Sequence, residues 1–439
     1  MHTCDKYIVT ALSERAFVVC SDTNQVLELS TDSITKEEQA RQAQAIKDAE
    51  AKGKPVAKGV GIAPAQDVLA IAVAKEESSS TIWCAVARGS KTLAIYKMTS
   101  DDFKEEQSVE PSIVHRTGKR VGCLCFATVP SQIEIEKSIQ VVLGGDIVGD
   151  AHAYSLTETK SRVMLGHTAS ILTGISVLGN RVVTCDRDEK IKVSRFPEYF
   201  TIEGILLGHE AYITAMDTAT TESGKNIIAT CSGDSTVRLW DIDAMEQLTQ
   251  VSCRGVETTN DPENPTILIP VDLAINATGT MVAVIFEENN RLDLYSITKS
   301  EEDETILSLM KSMDCPSKTL GVSFQMDRVI VLTKDHYTVG YATVPALSES
   351  QMDATKALQD MATKEGIVMP ESLIEKDEFG NSKLDKTNET RGPSNEDAPW
   401  KRVERVEIAK ERERRHKRRK LAKEKELKAQ TKIGSSAKS

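Results

Sequence analysis

Four residues stand in an order that could move a proton: His209, Thr230, Asp234 and Trp240. A histidine bonded to a carboxylate and a hydroxyl is the arrangement of a nucleophilic relay. The same set has a structural use. A His at the head of a unit, a Thr on one strand, an Asp in the next turn and a Trp on the following strand can form a buried hydrogen-bonded chain, and a buried carboxylate is tolerated when paired this way.

Spacing favours the structural use. Gly166-His167 and Gly208-His209 stand 42 residues apart, each heading a β-rich unit, and a period of about 40 to 45 residues is that of a WD-repeat propeller blade. Gly208-His209 is followed 31 residues later by Trp240-Asp241, which closes the run from Thr230 through Ser232-Gly233-Asp234 to Leu239. The repeat accounts for all four residues. In the unit before, His167, Thr184 and Asp188 take the corresponding places, with Ser194 where the Trp would stand.

Short apolar runs of strand length recur from Tyr7 to Val344, separated by turn residues. The expected fold is all-β: a seven-bladed WD-repeat β-propeller over residues 1–346. Units near 60–100, 112–160, 162–205, 206–252, 265–310 and 315–346 leave the strands between Tyr7 and Leu29 over. Pairing those with the C-terminal strands would close the ring without an open edge. Residues 31–58, rich in Lys, Glu, Gln and Ala, form a polar loop insertion, disordered or loosely helical. Residues 347–400 are a helix from Ser348 to Lys364 followed by an acidic linker, and 401–439 are a basic, partly helical tail.

Other chemistry is not encoded. Gly59-Val60-Gly61 runs into Ile62-Ala63-Pro64 rather than a helix start, and Gly144-Gly145-Asp146 leads to another strand, so both are expected as propeller turns rather than cofactor loops. There is no phosphate-binding G-K-[ST] loop, no G-x-S-x-G elbow and no H-E-x-x-H pair. The nine cysteines include no C-x-x-C pair and are expected as reduced thiols in or near the core, with no metal. No run of about 18 apolar residues appears, and the first residues lack a secretory layout, so an intracellular chain is expected.

The net charge of −11 hides an asymmetry. Residues 401–439 carry sixteen Lys and Arg against six Glu, a surplus of ten, which leaves residues 1–400 at −21. An acidic body with a basic tail suggests two partners, or one met at two surfaces. Within the tail, Arg412, Arg414, Arg415, Lys417, Arg418, Arg419 and Lys420 surround the single anion Glu413. Such a run serves contact with nucleic-acid phosphates or nuclear import, and a solvated helix is the third reading.

A second charged run, Asp186-Arg187-Asp188-Glu189-Lys190-Ile191-Lys192-Val193-Ser194, exceeds what a blade turn needs. Lys190 and Lys192 share one strand face. Together with Leu165-Gly166-His167-Thr168-Ala169-Ser170-Ile171-Leu172-Thr173, Ile202-Glu203-Gly204 and Leu207-Gly208-His209, this run resembles the non-catalytic WD-repeat subunit of tRNA (guanine-N7-)-methyltransferase, clearly from about residue 114 to 245. Gly118-Lys119-Arg120 and Gly149-Asp150 with Tyr154 look like that family's preceding blade; Val121 departs from it, where Pro is usual.

The resemblance implies a heterodimer with no catalytic residues here. A separate subunit would bind S-adenosylmethionine and methylate N7 of a guanine in the tRNA variable loop, while the propeller binds and stabilises it. The family's enzyme-facing charges map onto Glu189 and Lys192, with Arg187 and Lys190 beside them. Partner subunit and tRNA are the expected partners, without a membrane, and the nucleus the expected location. The rival reading is a generic WD scaffold, such as a ubiquitin-ligase substrate receptor or a ribosome-assembly factor.

Overall fold

In the computed structural model the described residues are most of 1–34, a few positions between 36 and 47, most of 67–343 (131–137 and 254–267 being among the gaps) and Ile367–Val368. Among them the strands form seven four-stranded antiparallel sheets, each built from consecutive strands. The first holds β1 (His2–Cys4), β2 (Tyr7–Leu12), β3 (Arg15–Cys20) and β4 (Gln25–Leu29). The second holds β5 (Val68–Lys75), β6 (Ile82–Arg88), β7 (Thr92–Met98) and β8 (Ile113–Arg116). The third holds β9 (Val121–Pro130), β10 (Ser138–Asp146), β11 (Asp150–Ser155) and β12 (Ser161–Gly166). The fourth holds β13 (Leu172–Leu178), β14 (Arg181–Asp186), β15 (Lys190–Arg195) and β16 (Ile202–Leu207).

The fifth holds β17 (Ile213–Thr220), β18 (Asn226–Ser232), β19 (Thr236–Asp241) and β20 (Glu246–Ser252). The sixth holds β21 (Pro270–Ile275), β22 (Met281–Phe286), β23 (Arg291–Lys299) and β24 (Thr305–Asp314). The seventh holds β25 (Thr319–Gln325), β26 (Arg328–Thr333), β27 (Thr338–Thr343) and β28 (Ile367–Val368). The first strand of each sheet packs against the first strand of the next, and β1 packs against both β5 and β25. This arrangement is a β-propeller.

Two expectations about the ring are corrected. The N-terminal strands do not pair with the C-terminal ones; they make a complete sheet of their own, and so do β25–β28. The ring closes through side chains instead. Thr3 Oγ1 donates to the Phe324 carbonyl at 2.6 Å and lies 3.0 Å from Ser323 Oγ, and the Gln325 amide donates to the Asp5 carbonyl at 2.7 Å. The unit boundaries also shift: β8 completes the second sheet rather than opening the third, and the fourth strand of the seventh sheet lies beyond residue 346.

The middle strands are apolar on both faces because each sheet is sandwiched between two others. In β14 every residue from Val182 to Asp186 is buried, and in β18 every residue from Ile227 to Ser232. Val183, Cys185, Ile191, Val193 and Leu206 meet Ile213, Ile228 and Trp240 between the fourth and fifth sheets. Each such side chain fully buried contributes roughly 1.5 to 3 kcal/mol before chain entropy is counted. Gly144 and Gly145 lie inside β10, not in a turn. A Cβ on Gly145 would come within 2.6 Å of Cys123 Sγ and 2.8 Å of the Leu172 side chain, so Gly145 serves close packing against the fourth sheet.

The nine cysteines are free, and all but Cys4 are buried. Burial pushes the thiols of Cys125 and Cys185 up to about 12. The described positions between 33 and 47 are helical, and Ile34 among them is buried in the core with Leu29 and Phe103. The rest of the expected insertion at 31–58, the Gly59–Gly61 turn, the helix from Ser348 and the basic tail lie outside the described residues. Among the described residues no helix is long and apolar enough to cross a membrane.

Candidate partner-binding site

Two histidine networks brace corresponding turns of the fourth and fifth sheets, and the charged run sits on the first of these. In the fifth sheet, His209 Nδ1 lies 3.0 Å from Asp234 Oδ2 and Nε2 lies 2.8 Å from Thr230 Oγ1; Trp240 Nε1 donates to the same Thr230 oxygen at 2.8 Å. All four sequence-selected residues therefore meet. Asp234 also accepts the amides of Glu210 and Thr236. Gly208 precedes His209 for a steric reason, since a Cβ there would stand 2.9 Å from the Trp240 ring. Burial holds His209 below its ordinary pKa. The network is enclosed and satisfied, as a structural clamp requires.

In the fourth sheet the corresponding clamp uses Asp186, not Asp188. His167 Nδ1 lies 2.8 Å from Asp186 Oδ2, and His167 Nε2 lies 2.7 Å from Thr184 Oγ1. The other Asp186 oxygen accepts the amides of Asp188 and Lys190 at 2.8 and 3.1 Å. Burial pushes the Asp186 carboxyl up, but the bonds from His167 and the Lys190 amide outweigh it and hold it below the usual range. Asp188 is exposed. The two sheets place the acid differently: Asp234 stands in the turn two residues beyond β18, whereas Asp186 ends β14, where the fifth sheet has Ser232.

One buried acid thus fixes the whole β14–β15 turn, and the Arg187 amide donates to the Ile171 carbonyl at 2.9 Å to tie it to the preceding loop. On this frame Arg187 and Lys190 are exposed, and among the described residues neither side chain has a hydrogen-bond or ion-pair partner. Glu189 is half-buried at φ 74°, a left-handed conformation unusual for a residue with a Cβ. Lys91, Gly149 and Ser235 hold the matching turn position in the second, third and fifth sheets, also at positive φ. Lys192 is half-buried, and its Nζ donates to the Gly166 carbonyl at 2.5 Å; burial lowers its pKa. The four charges expected at the partner surface are therefore gathered on one turn and strand, with Lys192 anchored rather than free.

Charges elsewhere in this sheet are mutually satisfied. Arg181 and Arg195 both bond Glu203, at 2.6 and 2.9 Å, and Arg181 also reaches Asp243.

Sequence counting missed the strand beside the charges. Lys190 pairs with Leu207, Lys192 with Ile205 and Ser194 with Ile202, and a register shift between Val193 and Ser194 is what brings Ile202 onto the face of the other two. The available signal was the alternation of Ile205 and Leu207, which a bulge interrupts.

Comparison with known proteins now bears on this geometry. Residues 149–359, which include both clamps and the charged turn, match the family described as the tRNA methyltransferase TRM82 WD40 domain. Over these residues the chain is similar to that WD40 domain. Among curated relatives, the tRNA (guanine-N(7)-)-methyltransferase non-catalytic subunit wuho of Aedes aegypti is 27% identical over 58% of this chain and 59% of its own length. The non-catalytic subunit wdr4 of Xenopus laevis is 27% identical over 45% of this chain and 48% of its own. Its counterpart WDR4 of Homo sapiens is 31% identical over 33% of this chain and 36% of its own. The matched part of the chain spans between about a third and three fifths of these relatives. Both clamps and the charged turn lie inside the matched region.

Proposed function

We propose that this chain is the non-catalytic subunit of a heterodimeric tRNA (guanine-N7-)-methyltransferase. It binds and stabilises a separate catalytic subunit through Arg187, Glu189, Lys190 and Lys192, for N7-methylation of a variable-loop guanine. The observation that carries the reading is the β14–β15 turn. The buried Asp186 clamp braces it, and it presents Arg187 and Lys190 exposed to solvent, with Glu189 and the tethered Lys192 beside them, inside the region that matches the TRM82 WD40 domain. The names of the relatives, all non-catalytic subunits of this enzyme, support the same role.

S-adenosylmethionine belongs to the partner subunit in this reading. Tail residues Arg412, Arg414, Arg415, Lys417, Arg418, Arg419 and Lys420 supply tRNA contact or nuclear import, and the nucleus is the proposed location. The test is a charge reversal, Glu189→Lys with Lys192→Glu, in cells lacking the native chain. Tagged protein should lose the co-purifying methyltransferase subunit and lower tRNA N7-methylguanosine, measured by nucleoside mass spectrometry, by more than its own abundance falls through loss of the Lys192 bond to the Gly166 carbonyl. Normal modification in cells from which the whole chain has been deleted would refute the reading.

A further inference from the structure

Repeats provide an internal control for what a surface is for. On the strand face that carries Lys190 and Lys192, the outer strand β16 exposes three aliphatic side chains, Ile202, Ile205 and Leu207, at 52%, 49% and 67%. The matching positions of the fifth sheet, opposite Trp240, Arg238 and Thr236, are Gln247, Gln250 and Ser252. In the sixth sheet Asp314, Ser312 and Leu309 stand opposite Arg291, Asp293 and Tyr295. The third has Gly166, Val163 and Ser161 opposite Asp150, His152 and Tyr154. The fold tolerates polar residues along this row and uses them in three sibling sheets. The third and sixth sheets each expose one aliphatic in the row, Val163 at 58% and Leu309 at 48%; the fourth sheet alone among these four places three there, each about half exposed or more, where each costs solvation instead of gaining it.

We infer that Ile202, Ile205 and Leu207 form the apolar centre of a docking surface whose rim is Arg187, Lys190 and Lys192. Its occupant is the catalytic partner, by an apolar surface edged with carboxylates. This rests on the function proposed above and deepens it. Register makes the surface continuous: Leu207 is the cross-strand neighbour of Lys190, and Ile205 that of Lys192. An apolar centre ringed by polar side chains is the anatomy of a stable interface, in which the centre carries most of the binding free energy. The cations choose the partner's sign. Lys192, tethered to the Gly166 carbonyl, gives that choice a fixed geometry.

The consequence is a complex that survives salt. Contacts made only by exposed charges fade as the screening length shrinks to about 4 Å near 0.5 M salt, whereas apolar contact does not. Full-length chain is co-expressed with the S-adenosylmethionine-binding subunit of the same organism, and association is measured at low salt and at about 0.5 M salt. Wild-type association should persist in salt. Ile205→Ser with Leu207→Ser should weaken it on the order of 100-fold at either salt. The melting temperature of the isolated chain should not move, because both side chains face water there. Leu207→Lys alone, at the most exposed of the three positions, repeats the test with less risk to the fold, and Ile205→Val with Leu207→Met should restore binding. If the serine variant binds as wild type while the Glu189→Lys, Lys192→Glu reversal abolishes binding, the apolar centre is refuted and the proposed function stands. If neither variant weakens binding, both fall. A dimer of this chain alone, broken by the serine variant, would assign the row to self-association and overturn the inference.

Discussion

The indole of Trp240 and the imidazole of His209 converge on one atom, Thr230 Oγ1, each at 2.8 Å, with the rings 6.0 Å apart and inclined at 60°. A hydroxyl has one proton and two lone pairs, so Thr230 can donate to His209 while accepting from Trp240. The neutral imidazole then donates Nδ1–H to Asp234. Every group in the chain has a role that its neighbour completes.

Breaking that chain should destabilise the fifth sheet. Asp234→Ala leaves His209 and the Glu210 and Thr236 amides without their acceptor, and Thr230→Val leaves both His209 and Trp240 unmatched. A loss of about 1 to 3 kcal/mol is expected for each. Urea denaturation of the purified chain reads it, and a midpoint equal to wild type in either variant would contradict the clamp.

Acid should weaken the clamp in two stages. Burial holds His209 below its ordinary 6.5. Asp234 lies below 3.8: burial opposes this, but the bonds from His209, Thr236 and the Glu210 amide prevail. A folded-state pKa below the unfolded one gives stability that is present at neutral pH and lost on acidification, from 6.5 downward for the histidine and from 3.8 downward for the acid. His209→Gln should remove the first loss from a series of thermal melts between about pH 4 and 8. The same slope in both proteins would show that His209 titrates normally.

Asp217 should act in the opposite sense. It is half-buried on β17, where it accepts the Ile275 amide of β21 at 3.0 Å, and desolvation raises its carboxyl to about 6. Its contribution is complete below 3.8 and is lost as pH rises through about 6. Asp217→Asn should therefore reduce the loss of melting temperature on going from acid to neutral pH. An unaltered profile would place the group outside that range.

Glu189 separates folding from binding. Its φ of 74° suits glycine, which stands at φ 109° at the equivalent Gly149. Relief of that conformation in Glu189→Gly should offset, by up to about 1 kcal/mol, what the fold loses with the side chain's own contacts. The same change should weaken capture of the catalytic subunit. A destabilised variant that still binds would show that the charge serves the fold.

Removal of residues 401–439 should spare the propeller's melting temperature and its pairing with the partner subunit, and reduce tRNA affinity or nuclear accumulation. Seven cations between Arg412 and Lys420 motivate this. The slope of log affinity against log salt should become shallower as phosphate contacts are lost. Unaltered affinity across the titration, with unaltered nuclear entry, would leave the tail without either role.

The fifth-sheet clamp was legible because a repeat period ties side-chain type to strand position, so Thr230 to Trp240 could be placed by counting. Asp186 and Asp188 could not be told apart in the same way. They flank one turn two residues apart, and the direction in which a turn sends each carboxylate depends on backbone angles that residue types do not specify. Ile202 was hidden by the bulge beside Glu203 and Gly204, which breaks the alternation a reader would follow from Leu207. Ring closure was misplaced because the terminal strands can satisfy their backbones either by sharing a sheet or by completing two. The choice rests on contacts such as Thr3 with Ser323, 320 positions apart.

That seam between the first and last sheets governs how the chain can be made. A propeller whose closing sheet borrows a strand from each terminus must hold an unfinished edge open until synthesis ends. Here β1–β4 are complete after the first 29 residues, and each later sheet is complete from its own contiguous stretch. The nascent chain can therefore fold vectorially, one sheet packing on the last as it leaves the ribosome, with little exposed edge to aggregate. The β13–β16 sheet, with its charged turn, is finished at Leu207, ahead of the three sheets that follow it.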